Sequence, residues 1–397
     1  MAHLTTTPTT LRRLRRIARQ RGLTLIELMV ALVVGLMVIL AALSVFTTTG
    51  RSAGTVDAAG QLRDDARFAA DIIQRLAVQT GFEDIGFVTR TYQGTPQTYK
   101  AANGQVDPTG MMAPISGFSG KKPAAGNGAV TYNSSTKQLT VNEGDASYCP
   151  QAGKCSDTLV LRYQAVNKGD SLSDADGSMM VCSGDALGAG DAHDTEIRTE
   201  RAVSVFYVDT DPETGEPTLY CRYTTKESGN LSTPATPLVK GVESFKVLYG
   251  VDNITANTKA DASGADTGHA KLVPSRYLTA GEMAVSGDTA ATQTNWRRVR
   301  TLRIGLVLRA GDRPIQRGQA VAQGDDATIY PLGEGFGGEY TINDARLRQP
   351  YIFTVNVRNC LNQGYQSAGD PGASASTDIP PCDVVVPRDP STTGGSV

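Results

Sequence analysis

The sequence has few of the residues on which enzymes most often depend. Only three of its 397 residues are histidines (His3, His193 and His269), and aromatic residues make up 6% of the chain. A serine or cysteine triad needs a histidine base beside its nucleophile. The chain also has no Gly-x-Ser-x-Gly, phosphate-loop or His-Glu-x-x-His motif. We therefore expect a protein that is not an enzyme and that needs no cofactor.

An excess of charge of one sign is also missing. The chain has 38 basic and 40 acidic residues, for a net charge of −2. Such a chain has no overall field that would attract nucleic acid or an acidic substrate. Its 42 glycines, with so few aromatic residues, favour a β protein rich in loops over a helical one.

One long apolar run lies near the N-terminus. From Leu28 to Phe46 there is no charge, and a helix of that length is ~28 Å long, close to the ~30 Å hydrocarbon core of a bilayer. Basic residues before a span hold that end in the cytoplasm. We therefore expect a single-pass inner-membrane protein whose C-terminal part is periplasmic. Six arginines precede the run: Arg12, Arg13, Arg15, Arg16, Arg19 and Arg21.

Two residues distinguish this run from an ordinary secretory signal. No Ala-x-Ala-like site follows it, whereas Gly22 lies before it, so cleavage there would remove the leader and leave the span attached. Glu27 puts a carboxylate in the apolar helix, at a cost of up to ~3 kcal/mol on insertion scales. A new amine at Leu23 would lie one helical turn away, as a counter-charge within this chain or for a neighbour. The alternative is an ordinary signal anchor in which the glutamate is incidental.

The segment GLTLIELMVALVVGLMVILAAL (22–43) resembles the type III signal of type IV pilins and type II secretion pseudopilins. The resemblance implies that a prepilin peptidase cuts after Gly22 and methylates the amine of Leu23. It also implies that Glu27 directs assembly. That family most often has Phe at the position of Leu23, so this chain departs from it mildly.

A second helical pattern comes after a polar stretch at 47–60. Apolar residues then recur at three- and four-residue spacing, which places them on one face of a helix that Gly81 would end. We interpret 47–81 as an amphipathic continuation of the first helix. The residues on the predicted apolar face are Leu62, Ala66, Ala69, Ile72, Ile73 and Leu76.

Alternating apolar residues predict a β-rich domain over 82–363, after an irregular connection at 82–127. Trp296 is expected to open the longest strand, with Leu302, Ile304, Leu306 and Leu308 on one face. The Pro-, Gly- and Ser-rich tail, 364–397, is expected to be disordered. The other strands are predicted at 129–132, 138–141, 157–163, 202–208, 218–223, 242–250 and 351–357.

Several of these segments resemble the PilW family of minor pilins, in order along the chain. They are LRDDARFAADIIQRLAVQTGF (62–82), DTLVLRYQ (157–164), TLYCRYT (218–224), LVKGVESFKVLYGVD (238–252), NWRRVRTLRIGLVLRA (295–310) and YIFTVNVRN (351–359). The resemblance implies an α+β, type IV pilin-like fold, in which a long N-terminal helix packs on an antiparallel β-rich domain.

All six cysteines lie beyond the apolar run, in the part expected to be exported to an oxidising compartment where disulfides persist. Six cysteines allow fifteen pairings, and the sequence does not choose among them. Pairing of neighbours is our prediction. A zinc site is the alternative, but there is no Cys-x-x-Cys and the histidines are not at ligand spacing. The predicted pairs are Cys149–Cys155, Cys182–Cys221 and Cys360–Cys382.

Two further features allow a binding function. Acidic loops at Asp174/Asp176 and at Asp209/Asp211/Glu213 could offer oxygens to calcium, although Asp-Pro and Gly in the second also fit an ordinary turn. A basic run beside Trp296 could contact DNA phosphates, or form the solvent face of a strand. We treat nucleic acid as an unlikely partner. The run consists of Arg297, Arg298, Arg300 and Arg303.

The sequence therefore predicts a structural subunit. By resemblance, PilW-type subunits are processed by a prepilin peptidase and join other minor pilins, the major pilin, a tip adhesin and an inner-membrane assembly platform. That complex initiates the pilus and stays at its tip, on the cell surface. The alternatives are a minor pseudopilin of type II secretion, and a filament-displayed adhesin or DNA-uptake subunit. The expected segments are a leader (1–22), a membrane and filament-core helix (23–46), its continuation (47–81), the β-rich domain (82–363) and the tail (364–397).

Overall fold

The structure, a computed structural model, describes part of the chain. The chain divides into two compact units, Met1–Gly54 and Thr55–Val397, and each is described by itself. The described residues are 24–81, 112–133, 138–163, 165, 168, 175–187, 202–227, 230–251, 254–260, 274–311, 327–342, 344 and 346–357.

One continuous helix, α1, runs from Leu25 to Gln79. The polar stretch at 47–60 is therefore helical, and polarity there changes the surface of the helix without ending it. The helix ends at Gln79, and the chain turns away at Gly81, whose φ of 78° suits a residue without a Cβ. The predicted stop at this glycine is confirmed.

The part of α1 inside the second unit is amphipathic, as predicted. Its apolar face is buried: Leu62, Ala66, Ala69, Ile73 and Leu76 are all at most 5% exposed. The opposite face carries ion pairs between exposed side chains one turn apart, Arg67 with Asp64 and Arg75 with Asp71. The small alanines at the contact let the helix backbone approach its neighbours closely.

The rest of the second unit is built on two antiparallel sheets. Sheet A has the order β1-β6-β7-β8-β11, and sheet B has the order β13-β12-β14-β17. The strands of sheet A are β1 (Ile115–Phe118), β6 (Thr158–Tyr163), β7 (Ala202–Thr210), β8 (Pro217–Tyr223) and β11 (Ala235–Lys240). Those of sheet B are β12 (Val242–Val251), β13 (Arg276–Leu278), β14 (Val299–Arg309) and β17 (Arg348–Asn356).

Shorter strands pair two by two around these sheets, as β2 with β5, β3 with β4, β9 with β10 and β15 with β16. Two short helices precede β14: α2 (Ala280–Met283) and α3 (Thr289–Arg297). The short strands are β2 (Lys121–Pro123), β3 (Val130–Asn133), β4 (Gln138–Val141), β5 (Glu143–Ala146), β9 (Thr225–Glu227), β10 (Asn230–Ser232), β15 (Ala327–Ile329) and β16 (Tyr340–Ile342).

The predicted α+β architecture, a long helix followed by an antiparallel β-rich domain, is confirmed, but two local expectations are wrong. The connection at 82–127 is not irregular throughout, since β1, β2 and a 3₁₀ turn at Gly126–Gly128 lie within it. Trp296 does not open a strand. It lies in α3, because the Asp288 carboxylate accepts a hydrogen bond from Ala291 N–H and starts a helix there.

The main hydrophobic core contains the apolar face of α1 and the inner faces of both sheets. A smaller cluster lies on the other face of sheet A, where the β3–β4 hairpin covers Val160, Val203 and Val205. Strands in sheet A are therefore buried on both faces, which explains why β6 and β7 have runs of apolar residues without strict alternation.

A buried carboxylate, Asp157, joins the two sheets. It precedes β6 of sheet A, and it accepts hydrogen bonds from the backbone N–H of Val247 in sheet B (3.1 Å) and of Gly120 (3.0 Å). The ammonium group of Lys246 lies 3.1 Å from the same carboxylate. Burial raises the pKa of Asp157, and Lys246 opposes that shift. A side chain with this many partners fixes the position of β12 against β6.

A second buried carboxylate, Glu243, joins three strands of the second unit. Arg348 of β17 donates to it from Nε (2.6 Å) and Nη2 (2.9 Å), and Arg309 of β14 lies at 3.4 Å. The hydroxyl of Tyr340 donates to it at 3.1 Å. The Glu243 and Arg348 side chains are each only 4% exposed. Backbone hydrogen bonds pair β14 with β12 and β17. This ionic cluster links the same three strands through side chains, a link that the spacing of apolar residues does not predict.

We expect Glu243→Ala to lower the free energy of unfolding by about 2 kcal/mol, because it removes the buried carboxylate that Arg309 and Arg348 share and leaves each with one acidic partner, Glu216 and Asp344. The matched control is Glu143→Ala, which removes a half-exposed pair with Lys121 and should cost less than about 1 kcal/mol. Denaturant unfolding of the full chain in detergent micelles, followed by fluorescence of the single tryptophan, measures both. Equal losses in the two variants would contradict the role given to Glu243.

Candidate functional site: the apolar half of the first helix

The first unit presents one continuous apolar surface. Residues Leu25–Thr47 have a mean hydropathy of 2.9 over 23 residues, and none of this span is buried. By length and composition it is long enough to cross a membrane. Its large side chains are exposed over the whole length, from Leu25 to Phe46. A surface of this kind needs lipid or apolar protein around it, because water is an unfavourable environment for it.

Glu27 is the single charged residue in that span. It lies in the first turn of α1, where a carboxylate interacts favourably with the positive end of the helix dipole. Its backbone N–H donates to the Thr24 carbonyl (3.1 Å) and to Thr24 Oγ1 (3.3 Å). Among the described residues, no donor lies against its carboxylate. The carboxylate is exposed and open to a partner from outside the described part of the chain.

Thr24 is a residue that sequence reasoning missed. The spacing Thr24-x-x-Glu27 is that of a capping box, in which a threonine before the helix accepts from the backbone N–H three residues later. The structure shows this half of the box. The spacing is a usable signal for the start of the helix. Gly22 and Leu23, the predicted processing residues, lie outside the described residues.

Two of the three carboxylates in the acidic turn after β7 bind groups of the same chain. Asp209 lies 2.7 Å from Lys122 Nζ, and Asp211 lies 3.2 Å from Lys240 Nζ. Asp211 Oδ1 also accepts from the backbone N–H groups of Glu213 (2.9 Å) and Thr214 (3.0 Å). These bonds lower the pKa of Asp211, with the Thr214 N–H as the largest cause. The residues therefore form an Asx-type turn stabilised by lysines.

The other acidic loop has a similar explanation. Asp176 Oδ1 accepts from the backbone N–H of Ser178 at 2.8 Å, and Asp174 lies outside the described residues. Within the part of the chain that the structure describes, no group of three or more His, Cys, Asp or Glu side chains could hold a metal ion.

The basic run near Trp296 is not the solvent face of a strand. Arg297 ends α3, and Arg300 is 8% exposed at the start of β14. The guanidinium of Arg303 donates to the Leu332 carbonyl (3.0 Å) and lies 4.0 Å from the ring centre of Phe336. Trp296, the one aromatic residue beside the run, is 5% exposed and packs edge-on against Tyr249 at 4.7 Å. The side chains of Trp296 and Arg303, which suggested a DNA site, thus contact other residues of the same fold.

The cysteines that lie in the described residues are bonded in pairs, Cys149 with Cys155 and Cys182 with Cys221. These are the neighbour pairs that the sequence analysis predicts. The first closes a short loop before β6. The second ties the loop that contains Cys182 to β8 at a point where both cysteines are buried. Cys360 and Cys382 lie outside the described residues, so their pairing stays a prediction.

Two family models match the chain. One, described as Type IV Pilus-assembly protein W, matches residues 205–359, which run from within β7 to just beyond β17. The other, described as a prokaryotic N-terminal methylation motif, matches residues 17–43, which include Gly22, Leu23 and Glu27. The two matches fall on the two main parts of the protein, the apolar helix and the β-rich domain.

Among solved structures, a type IV-like pilin from Thermus thermophilus is similar at 15% identity. The match covers 53% of this chain and 82% of that chain, with a TM-score of 0.25. At that TM-score the similarity carries no argument about this chain, and the assignment to a family rests on the two family models. No curated protein matches the chain.

We expect the charge of Asp211 to stabilise the fold only above acidic pH. Because its pKa is lowered on folding, its contribution is complete above the ordinary value of about 3.9 and is lost as pH falls through the lowered pKa. The melting temperature of Asp211→Asn should therefore lie below that of the wild type near pH 6, and the gap should close in acid.

Glu213→Gln, in the same turn, is the matched control, since its carboxylate makes no ion pair or hydrogen bond with the described residues. It should show no gap that depends on pH in this way. Millimolar calcium should leave the melting temperature of the wild type unchanged if the turn acts as described. A rise with calcium that Asp211→Asn abolishes would instead identify a cation site.

Proposed function

Since the chain belongs to the PilW family of type IV pilus minor pilins, we propose that it is processed by a prepilin peptidase and helps to initiate pilus assembly within a tip complex. The observation that supports this most is the exposed apolar span Leu25–Thr47 with a single carboxylate, Glu27, in its first turn. The family is structural, and the site is built for association. It holds no constellation of side chains that resembles a catalytic centre among the described residues.

The span suits two environments in succession. Before assembly, lipid would surround its apolar side chains, and a helix satisfies its own backbone hydrogen bonds there. After assembly, the apolar helices of neighbouring subunits would replace the lipid. Either environment removes the same surface from water, so transfer from membrane to filament need not cross a large hydrophobic barrier. The globular unit would be periplasmic at first and displayed at the pilus tip later.

Glu27 would choose the position of the subunit in the filament. A carboxylate in an apolar medium is costly unless it is paired, so it favours the register in which a positive amine faces it. The N-terminal amine released by cleavage after Gly22 is such a group, at Leu23 of a neighbouring subunit. Its methylation, implied by the motif match, keeps it basic and able to carry a positive charge.

The partners we propose are other minor pilins, the major pilin, a tip adhesin, the prepilin peptidase and the inner-membrane assembly platform. A minor pseudopilin of type II secretion would share the helix and its carboxylate. The match to a pilus-assembly family over 205–359 favours the pilus. A DNA-uptake role is less favoured, because Trp296 is buried and the Arg303 guanidinium is held by Phe336 and Leu332.

Glu27→Ala should leave export and membrane insertion intact but lower incorporation into pili by about tenfold or more, since a lost buried charge pair exceeds ~1.4 kcal/mol. Quantitative immunoblots of membranes and sheared pili measure both. Asp64→Ala is the matched control, because it removes an exposed acid on the same helix. Normal incorporation of the Glu27 variant would show that the carboxylate does not direct docking.

Gly22→Asp should block processing, because a peptidase that accepts only a small residue at the cleavage position cannot accommodate a charged side chain. The protein should then keep its leader and stay in the membrane. Mass spectrometry of the purified N-terminus checks this, with the wild type expected to begin at a methylated Leu23. A wild-type protein that begins at Met1 would rule out the cleavage assignment.

A further inference from the structure

The four edges of the two main sheets differ in how they are protected against pairing with another strand. In sheet A, β1 is four residues long, and β11 is interrupted by an irregularity between Pro237 and Val239. In sheet B, β13 is only three residues long. Short strands, prolines and bulges are the usual means of blocking edge pairing. Among the described strands, β17 is a nine-residue edge strand with continuous register against β14, and its Pro350 blocks pairing only in its first part, which leaves Ile352 to Asn356 available.

The hydrogen bonds of β17 show which of its backbone groups point away from the sheet. Val357 N–H donates to Arg300 O, and Ala310 N–H donates to Leu347 O, so odd-numbered residues of this strand pair with β14. In an antiparallel pair of strands, the backbone N–H and C=O groups of the alternate residues point away from the partner strand. The N–H and C=O groups of Ile352, Thr354 and Asn356 are therefore directed outward, with no hydrogen bond to the described residues. Pro350, which has no N–H, falls on the outward series and needs no partner.

From Ile352 to Asn356 the outward series carries no charge that would repel another strand, and the charge of Arg348, at the start of the strand, is paired with Glu243 inside the fold. From Tyr351 to Asn356 the edge has neither lysine nor any other ionisable side chain on its exposed face, where Ile352, Thr354 and Asn356 lie. The side chains of Tyr351 and Phe353 are partly buried, and that of Val355 is only 5% exposed. One side of β17 is therefore paired with β14, and no described residue pairs with its other side.

An exposed apolar side chain, Ile352, lies on this edge strand. Ile352 Cδ1 lies 3.6 Å from the position of a Cβ at Gly333, in the loop 331–338 that packs on β14. The exposed ring of Phe336 in that loop lies towards the other edge of the sheet, because it packs against Tyr277 of β13 and the guanidinium of Arg303. Ile352 is therefore the apolar side chain that this edge offers to another strand.

We propose that the edge of β17, from Ile352 to Asn356, receives an extended strand from another pilin subunit of the same filament. The incoming strand would pair with the outward N–H and C=O groups and would place uncharged or apolar side chains against Ile352. Recognition of this kind takes its affinity from main-chain bonds and its specificity from alternate side chains. The proposal rests on the proposed function, and it assigns that function a docking surface on the globular unit.

The size of the surface decides which occupant it fits. A strand of five to seven residues with two apolar side chains covers roughly half of the ~800 Å² per partner of a stable interface. A free soluble protein would therefore bind weakly. A subunit held beside this one by its own apolar helix would reach a high effective concentration, so a small second contact suffices. The span Leu25–Thr47 gives this chain such an anchor, and the partner should have an equivalent one.

Hydrogen exchange tests the occupancy of the edge in the full-length processed protein. Exchange of the 351–356 backbone amides is measured by mass spectrometry in detergent micelles and in filaments sheared from cells. We expect rapid exchange of the outward amides in micelles and exchange at least about tenfold slower in filaments. Equally rapid exchange in both would overturn the proposal.

Two other outcomes would also overturn it by identifying a different occupant. Slow exchange in micelles at every protein concentration would mean that residues of the same chain cover the edge. Slow exchange that appears only at high concentration in micelles would mean that a second copy does. If the wild type is absent from filaments altogether, the proposed function itself fails. If it is present with unprotected edge amides, only this inference fails.

A variant pair tests the contribution of the edge to assembly. Thr354→Pro removes one outward N–H and leaves the ladder with β14 intact, so its melting temperature should stay close to that of the wild type. Its amount in sheared filaments should fall several-fold relative to Thr354→Ser, which keeps the N–H. The slow exchange of the 351–356 backbone amides in filaments should also be lost in the Thr354→Pro variant. Equal incorporation of the two variants, both folded, would contradict the proposal.

Discussion

An apolar surface of 23 residues that is exposed over its whole length is the constraint on which this protein depends. Water is an unfavourable environment for such a surface, so the span needs lipid or apolar protein around it. In the proposed function, lipid would offer Glu27 no counter-charge, whereas an assembled neighbour would supply an amine. Anchoring and assembly would then depend on the same helix, and one residue in its first turn would distinguish the two.

The β-rich unit would meet a different demand, since the proposed assembly requires it to hold its shape while it is carried from membrane to filament. Two buried carboxylates associated with β12 contribute to this. Asp157 connects sheet A to β12, and Glu243 connects β12 to β14 and β17 through two arginines. Buried charges are costly when a partner is lost, so these clusters favour a single arrangement of the strands. The result is an edge strand, β17, that is fixed against β14 on one side and is unpaired on the other side by the residues that the structure describes.

In the proposed assembly the two surfaces would act at different levels. The helix of the first unit would provide association that any pilin-like subunit could share, because apolar packing is not selective. The edge of β17, with uncharged residues from Ile352 to Asn356, would provide a register and a side-chain pattern through which one partner could be preferred over another. Weak individual contacts of this kind become effective only where the apolar helices already hold the subunits together.

Local periodicity explains how much of the fold could be predicted from the sequence. The apolar run, Glu27, the apolar face of α1 from Leu62 to Leu76 and the main strands all depend on residue spacing that is independent of distant contacts. Residue spacing gives a wrong secondary-structure prediction where neighbouring residues outside the pattern determine the local conformation. Alternating apolar and basic residues after Trp296 predict a strand that starts there, but Asp288 caps a helix that ends at Arg297. The polar stretch at 47–60 is helical because polarity alone does not end a helix.

What the sequence by itself determined is the apolar anchor with its single acid, and the division of the chain into a helix and a β-rich domain. Only the tertiary structure decided which charges are buried, since Glu243, Arg309 and Arg348 lie far apart in sequence and meet when three strands align. It also decided that β17 is an edge, because strand order depends on which strands pair and not on any residue within the strand. Pairing is a long-range property, and no local pattern of side chains specifies it.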